Sequence, residues 1–267
     1  MENNKINRRK TENKNSSNFL VQGSILAAAG IIVRLIGMFY RIPLASILGD
    51  EGNGYYGSAY SIYNILLIVS SYSLPTAVSK MVATKTARKE YKNTFRILRM
   101  SLVYATLVGG ITSAVLWFGA DFFANTFLNM PYTRYALKTL APTVWILAYL
   151  GVLRGYFQGL GTMVPTAISQ IFEQIVNAVI SLFAAHKLFE AGLKANLVHG
   201  ETSYSYAFGA AGGTIGTGAG AFSALLLLIL IIMLYRPVMK RQARRDRTGR
   251  VDSYGEVTGV LILTVLP

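Results

Sequence analysis

The sequence predicts an all-α membrane protein with six spanning helices and the opening turns of a seventh. Three observations predict it. Apolar runs long enough to cross a bilayer as helices recur along the 267 residues. Basic residues gather in the segments between those runs, within a formal net charge of +14. The runs are continuous, unlike the short alternating strands of a membrane barrel.

Residues 1–18, MENNKINRRKTENKNSSN, are polar, basic and rich in Asn. They lack the apolar core and small-residue cleavage site of a signal peptide, which predicts a disordered cytoplasmic tail. Spans follow at about 19–48, 55–80, 95–127, 135–158, 164–189 and 206–235, forming one lobe over residues 19–235. A basic cytoplasmic linker occupies 236–256. A seventh run, 257–267, stops at Pro267, short of the roughly 20 residues a crossing takes, so the chain reads as truncated inside that helix. With the tail inside and the sides alternating, the loop Lys and Arg residues fall 20 on the tail side and 5 opposite. This bias places both ends in the cytoplasm.

Composition narrows the function classes. Hydrophobic residues make up 52% of the chain and charged residues 14%, so the basic excess points to anionic membrane lipids rather than nucleic acid. Without cysteine there are no disulfides or thiolate metal sites, and two histidines, His186 and His199, are too few for a metal centre. No cofactor motif and no catalytic arrangement of side chains is present, so the chain does not read as an enzyme. In the sixth span Gly212, Gly216 and Gly220 recur every four residues, leaving a face of nearly bare backbone for close helix packing.

The candidate site is polar chemistry inside the spans. Arg34 lies about fifteen residues into the first run, where a charge costs on the order of 3 kcal/mol on insertion scales. A cavity, a charged partner or an anionic ligand would offset that cost. Gly30, Arg34, Gly37 and Arg41 share one helix face, and the arginine fork suits phosphate oxygens. Arg41 also fits a residue snorkelling to the interface. The second span adds Tyr56, Tyr60, Tyr63 and Asn64, with a kink or unwinding expected at SSYS before Pro75. In the fifth span Thr166, Gln170, Glu173, Asn177 and Ser181 form a polar stripe. Arg34, Arg41, Asn64 and Gln170 are the candidate substrate-binding residues. Glu173 and Asn177 are candidates for ion coupling or an ion pair, and Arg34 is the expected partner of Glu173.

Two stretches carry a family resemblance. RGYFQGLGTMVPTAISQIFEQIVNAV, from Arg154 to Val179, and RLIGMFYRIPLASILGDEGNGYYGSAYSIYNILL, from Arg34 to Leu67, resemble the stage V sporulation protein B-like polysaccharide transport family. That family lies in the multidrug/oligosaccharidyl-lipid/polysaccharide exporter (MOP) superfamily, with the MurJ-type lipid II flippases. The resemblance implies about fourteen helices in two lobes, of which this chain is the six-helix N-terminal lobe lacking its C-terminal partner. It also implies a flippase for an undecaprenyl-diphosphate-linked cell-wall precursor, most closely lipid II, in the bacterial plasma membrane. Arg34 and Arg41 match arginines of the first helix that face the substrate's diphosphate, although their spacing of seven departs from the usual six. The basic residue such flippases carry late in the second helix has no counterpart in IVSSYSLPTAVSK. The alternatives are a drug or cation antiporter of the same superfamily and a non-transporting scaffold in cell-wall assembly or sporulation.

Overall fold

A computed structural model describes residues 2–244, 246 and 248–265, with side chains from Leu20 onward. The tail expected over 1–18 lies outside the residues whose side chains are described. All secondary structure among the described residues is helical: α1 (Glu2–Ser70), α2 (Leu74–Ala87), α3 (Tyr91–Tyr104), α4 (Gly110–Phe122), α5 (Arg134–Gly159), α6 (Val164–His199), α7 (Ser203–Arg244) and α8 (Tyr254–Val265). Two π-helical segments, Ala105–Gly109 and Phe123–Phe127, flank α4. Five helical stretches are long and apolar enough to cross a membrane.

The first of these stretches is two arms. Gly49 sits at φ 63°, ψ −176°, a conformation open to glycine and costly for residues with a Cβ. Asn53 Nδ2 donates to Ala45 O at 2.9 Å and Gly49 O at 2.7 Å, satisfying carbonyls the break releases. The contacts along α7 show the reversal. Leu48 faces Gly209 and Leu44 faces Gly213, whereas Tyr56 faces Gly213 and Tyr60 hydrogen-bonds Thr217. The arms therefore run along α7 in opposite directions. A second break, Ser71–Ser73, precedes Pro75, whose missing N–H is harmless in the first turn of α2.

Connections alternate between the two ends of the bundle. At one end Met163 N donates to Gln22 Oε1 (2.8 Å), Gly155 and Gly159 press on α2, and Lys92 N donates to Asp246 Oδ2 (3.0 Å). At the other, Tyr132 packs between Tyr55 and Tyr204, with ring centroids 6.1 and 5.2 Å away, and Tyr206 covers Gly49. α5 is the central post. Its Tyr156 and Phe157 join Leu74, Val78, Val82 and Ile97 in one core, and its Leu137, Leu140 and Val144 join Leu44, Leu48 and Leu116 in the other.

Glycines set the closest contact, α6 on α7. A Cβ on Gly220 would stand 2.6 Å from Glu173 O, and one on Gly216 would collide with Ser181. The bare face seen in the sequence is thus filled by the backbone of α6.

The segment after α7 differs from a free linker. Helix continues through Pro237 to Arg244, and the chain then docks on the α2–α3 loop. Lys85 Nζ bridges Asp252 Oδ2 (2.5 Å) and Glu90 Oε2 (2.8 Å). Asn93 donates to Arg250 O (3.1 Å) and accepts from Asp252 N (3.0 Å), and Arg96 donates to Asp252 O. The side chains of Glu90, Asn93 and Asp246 are buried, so the basic linker is anchored through its acids and its backbone.

Gly220→Val should lower the unfolding midpoint in detergent, by overpacking worth about 1–3 kcal/mol. Gly57→Ala, with open space at its Cβ, should be neutral or stabilising. Equal midpoints for the two variants would contradict the packing described.

The docked linker should also depend on pH. The Lys85 ammonium, then the Asn93 amide, hold the Glu90 carboxyl below its usual range; the Lys92 backbone N–H, then the Thr248 hydroxyl, do so for Asp246. Depressed acids contribute stability that is complete above the unfolded-state value, about 4.5 for Glu, and lost as pH falls through the folded values. Amide exchange over residues 248–253, corrected for intrinsic pH dependence, should be slow at pH 6 and accelerate below about pH 4. A flat profile would show that these carboxylates do not hold the linker.

Candidate functional site

The α5–α6 hairpin builds the most polar part of the bundle. Gly161, at φ 84°, helps close the Leu160–Met163 turn, and Pro165 opens the first turn of α6. Across this hairpin Arg154 Nη2 meets Glu173 Oε2 at 2.6 Å, while Arg154 Nε donates to Ser169 Oγ at 3.0 Å. Thr166 Oγ1 donates to Arg154 O at 3.4 Å. The guanidinium is 14% exposed and the carboxylate 20%, so both charges are largely withdrawn from solvent and each needs the other.

Sequence reasoning missed Arg154, counting it as a loop charge and pairing Glu173 with Arg34. The structure corrects both. Arg154 lies within α5, five residues before its end, and the hairpin brings it level with Glu173. The midpoint between positions 154 and 173 falls at the end of the turn, a signal the hairpin carries in its numbering. Arg34 is exposed on α1 and makes no ion pair with the described residues.

Arg154 also borders a cavity of about 320 Å³ between the second arm of α1, the start of α2, α5 and α6. Gln158, Gln170, Ser71 and Tyr72 supply its other polar groups. Of the candidate substrate residues, Gln170 alone lines it.

Arg34, Arg41 and Asn64 are exposed on the two arms of α1. Arg41 reaches back over the Tyr56 ring, its guanidinium carbon 6.0 Å from the centroid. Arg34 and Asn64 lie fifteen residues to either side of Gly49, at one level on antiparallel arms. Gly37 faces Gln174 and Tyr40 faces Asn177, so the first arm runs parallel to α6 and Arg34 stands level with Ile171, next to Gln170. Asn177 is buried and occupied. It accepts from Ser181 Oγ at 2.9 Å and reaches Tyr40 Oη at 3.5 Å, while Ser181 also donates to Gly213 O at 2.8 Å. The polar stripe of α6 therefore divides: Asn177 and Ser181 tie helices together, Gln170 borders the cavity, and Glu173 holds the arginine that borders it. Among the described residues, no group of three His, Asp or Glu could hold a metal ion.

The model of the polysaccharide biosynthesis protein family matches residues 20–226. The chain belongs to the polysaccharide biosynthesis protein family. It is 39% identical over 166 residues to stage V sporulation protein B of Bacillus subtilis, covering 62% of this chain and 32% of that protein. It is 28% identical over 211 residues to the lipid II flippase MurJ of the same organism, covering 74% and 38%. The membrane protein YabM is 29% identical over 240 residues, covering 90% and 41%. The chain spans about a third to two-fifths of the length of these relatives. No solved structure matches it. With this membership and its long apolar helices, the chain is a multi-pass membrane protein.

The hairpin pair is testable by a double-mutant cycle. Arg154→Met or Glu173→Gln alone should each lower the unfolding midpoint, by about 1–3 kcal/mol, because each strands a partner in a poorly solvated place. Together they should recover most of the loss. Additive losses would show that the two side chains do not depend on each other.

Proposed function

We propose that this chain is the N-terminal lobe, over residues 19–235, of a flippase that moves a lipid-linked cell-wall precursor across the bacterial plasma membrane. The proposed substrate is an undecaprenyl-diphosphate-linked glycan, in the first instance lipid II. The observation that carries it is Arg34, a deep arginine left exposed on α1 at the level of Asn64 and Gln170, in a family whose relatives include a lipid II flippase. An exposed guanidinium in a span is stabilised by an anionic ligand, and its planar fork matches a diphosphate's oxygens.

In this mechanism the headgroup enters from the cytoplasmic side and its diphosphate meets Arg34, with Arg41 further along the same helix face. The lobe then rocks against its C-terminal partner, opening the space between the two lobes outward. Two arginines on one face repel organic cations, which weighs against a cation antiporter. The scaffold alternative needs Arg34 buried against Glu173, but Glu173 pairs with Arg154. Both ends of the chain lie in the cytoplasm in this proposal, with anionic lipids around the basic loops.

Single-cysteine labelling tests the orientation in a chain with no native cysteine. Positions 190–203 should label from outside intact cells, and 240–252 only after permeabilisation. The reverse pattern would invert the topology.

Substitutions in a two-lobe parent test the site. Arg34→Lys keeps charge but loses the fork, so rescue of cells depleted of their lipid II flippase should weaken at unchanged protein level. Arg34→Ala should abolish it. A parent that flips lipid II normally with Arg34→Ala would sink the diphosphate role. The lone lobe should not rescue at all.

A further inference from the structure

An apolar hollow lies on another face of the bundle, independent of the transport proposal. Leu225, Ile229, Ile232, Met233 and Arg236 of α7 line a trough of about 490 Å³ whose other walls come from α3 and α5. Their offsets of 4, 7, 8 and 11 form a single helical stripe, apolar for three turns and cationic at its end. Eleven residues rise about 16 Å, close to half of a hydrocarbon core about 30 Å thick. The trough has the length of one leaflet.

Its cationic end continues into a second hollow of about 310 Å³, since Leu98 and Leu102 line both. That hollow contains Arg96 and Arg99. Arg96 is engaged, donating to Asp252 O with its guanidinium carbon 4.7 Å from the centre of the Tyr254 ring. Arg99 and Arg236 are exposed. All three stand at the bundle end where the linker docks. An apolar slot one leaflet deep, closing on two exposed guanidinium groups, has the shape and charge of a phospholipid with a net negative headgroup. The face also differs from the one that carries Arg34. α3 packs on α2, α5, α7 and α8, whereas α1 packs on α5, α6 and α7.

We propose that the trough between α3, α5 and α7 binds an anionic phospholipid, with one acyl chain along the α7 stripe and its phosphate held by Arg99 and Arg236. Bound there, the lipid joins the first turns of α3 to the last turns of α7, next to the anchored linker.

The test reconstitutes the chain in nanodiscs of mixed phosphatidylglycerol and phosphatidylcholine and counts retained lipids by native mass spectrometry. Wild type should retain phosphatidylglycerol over phosphatidylcholine by roughly tenfold or more, on the scale of about 1 kcal/mol per basic residue. Arg99→Gln with Arg236→Gln should erase that preference. Ile229→Trp, which fills the slot, should reduce retention of both lipids. Equal retention of the two lipids by wild type would overturn the proposal, as would a preference that survives both sets of substitutions. Displacement of phosphatidylglycerol by undecaprenyl diphosphate, itself lost in Ile229→Trp, would assign the slot to an isoprenoid tail and also overturn it. If the variants fail to fold, a photoreactive phosphatidylglycerol on wild type decides the matter. Adducts at 225–236 support the site, and adducts confined to other helices refute it.

Discussion

The backbone contact between α6 and α7 is the constraint on which the other placements depend. A hydrocarbon solvent gives apolar helices little reason to prefer each other over lipid, so association rests on close van der Waals fit and on polar groups satisfied between helices. The glycine face of α7 provides the fit, since nothing projects from Gly216 or Gly220 to hold α6 away. At that separation Ser181 reaches both Asn177 and Gly213 O, and Asn177 reaches Tyr40 of α1. The first arm is thereby registered on α6, and this register sets Arg34 level with Gln170. A side chain on α7 that widened the gap would shift the depth of an arginine on another helix.

Charge placement follows a second rule, that a deep charge must have a partner or an opening. Arg154 and Glu173 take the first course, with Ser169 absorbing a further donor of the guanidinium. In the proposed function Arg34 takes the second. Among residues 20–41 of the first arm only Ala29 is buried, so much of the arm that carries Arg34 lies on the outside of the lobe. An exposed arginine in that setting is expensive in lipid and inexpensive against water or an anion. The same contrast separates the two ends of the bundle. One is fastened by directional ion pairs around Lys85 and Asn93, the other by tilted and edge-on aromatic rings around Tyr132.

Much of this fold was legible because spans announce themselves by length and apolarity, and the glycine stripe by its period. The break at Ser71–Ser73 followed from SSYS and Pro75. The site was legible only in part. A polar stripe shows which residues share a helix face but not which neighbour that face meets, so Asn177 was grouped with Glu173 for ion coupling, whereas it is tied to Ser181 and Tyr40. Glu173 was recognised as needing a cation, and Arg34 was chosen because depth along a run was judged from run boundaries. Arg154, four residues before the end of its expected span, was counted with the loop charges; what the run boundaries could not show is that the turn at Gly161 folds α6 back so that Glu173 and Ser169 meet it. The π-helical segments beside α4 have no sequence signal in composition or period; the first ends at Gly109, where Trp145 and Ala148 approach closely.

An arginine already satisfied by a carboxylate and one that is not suit different tasks, and this chain has both near one level. Arg154 borders the cavity at 14% exposure, but a ligand there must compete with Glu173 and Ser169, so binding would release one charge for each it engages. Arg34 has no such competitor among the described residues, and an anion meeting it gains the full interaction less its own desolvation. In the proposed function, selective capture of an anionic headgroup therefore falls to Arg34. Arg154 is suited to hold the α5–α6 hairpin in register. Exchanging the two roles would require Arg154 to leave Glu173 as an unpaired carboxylate beside the cavity, a penalty larger than one hydrogen bond to a ligand would offset.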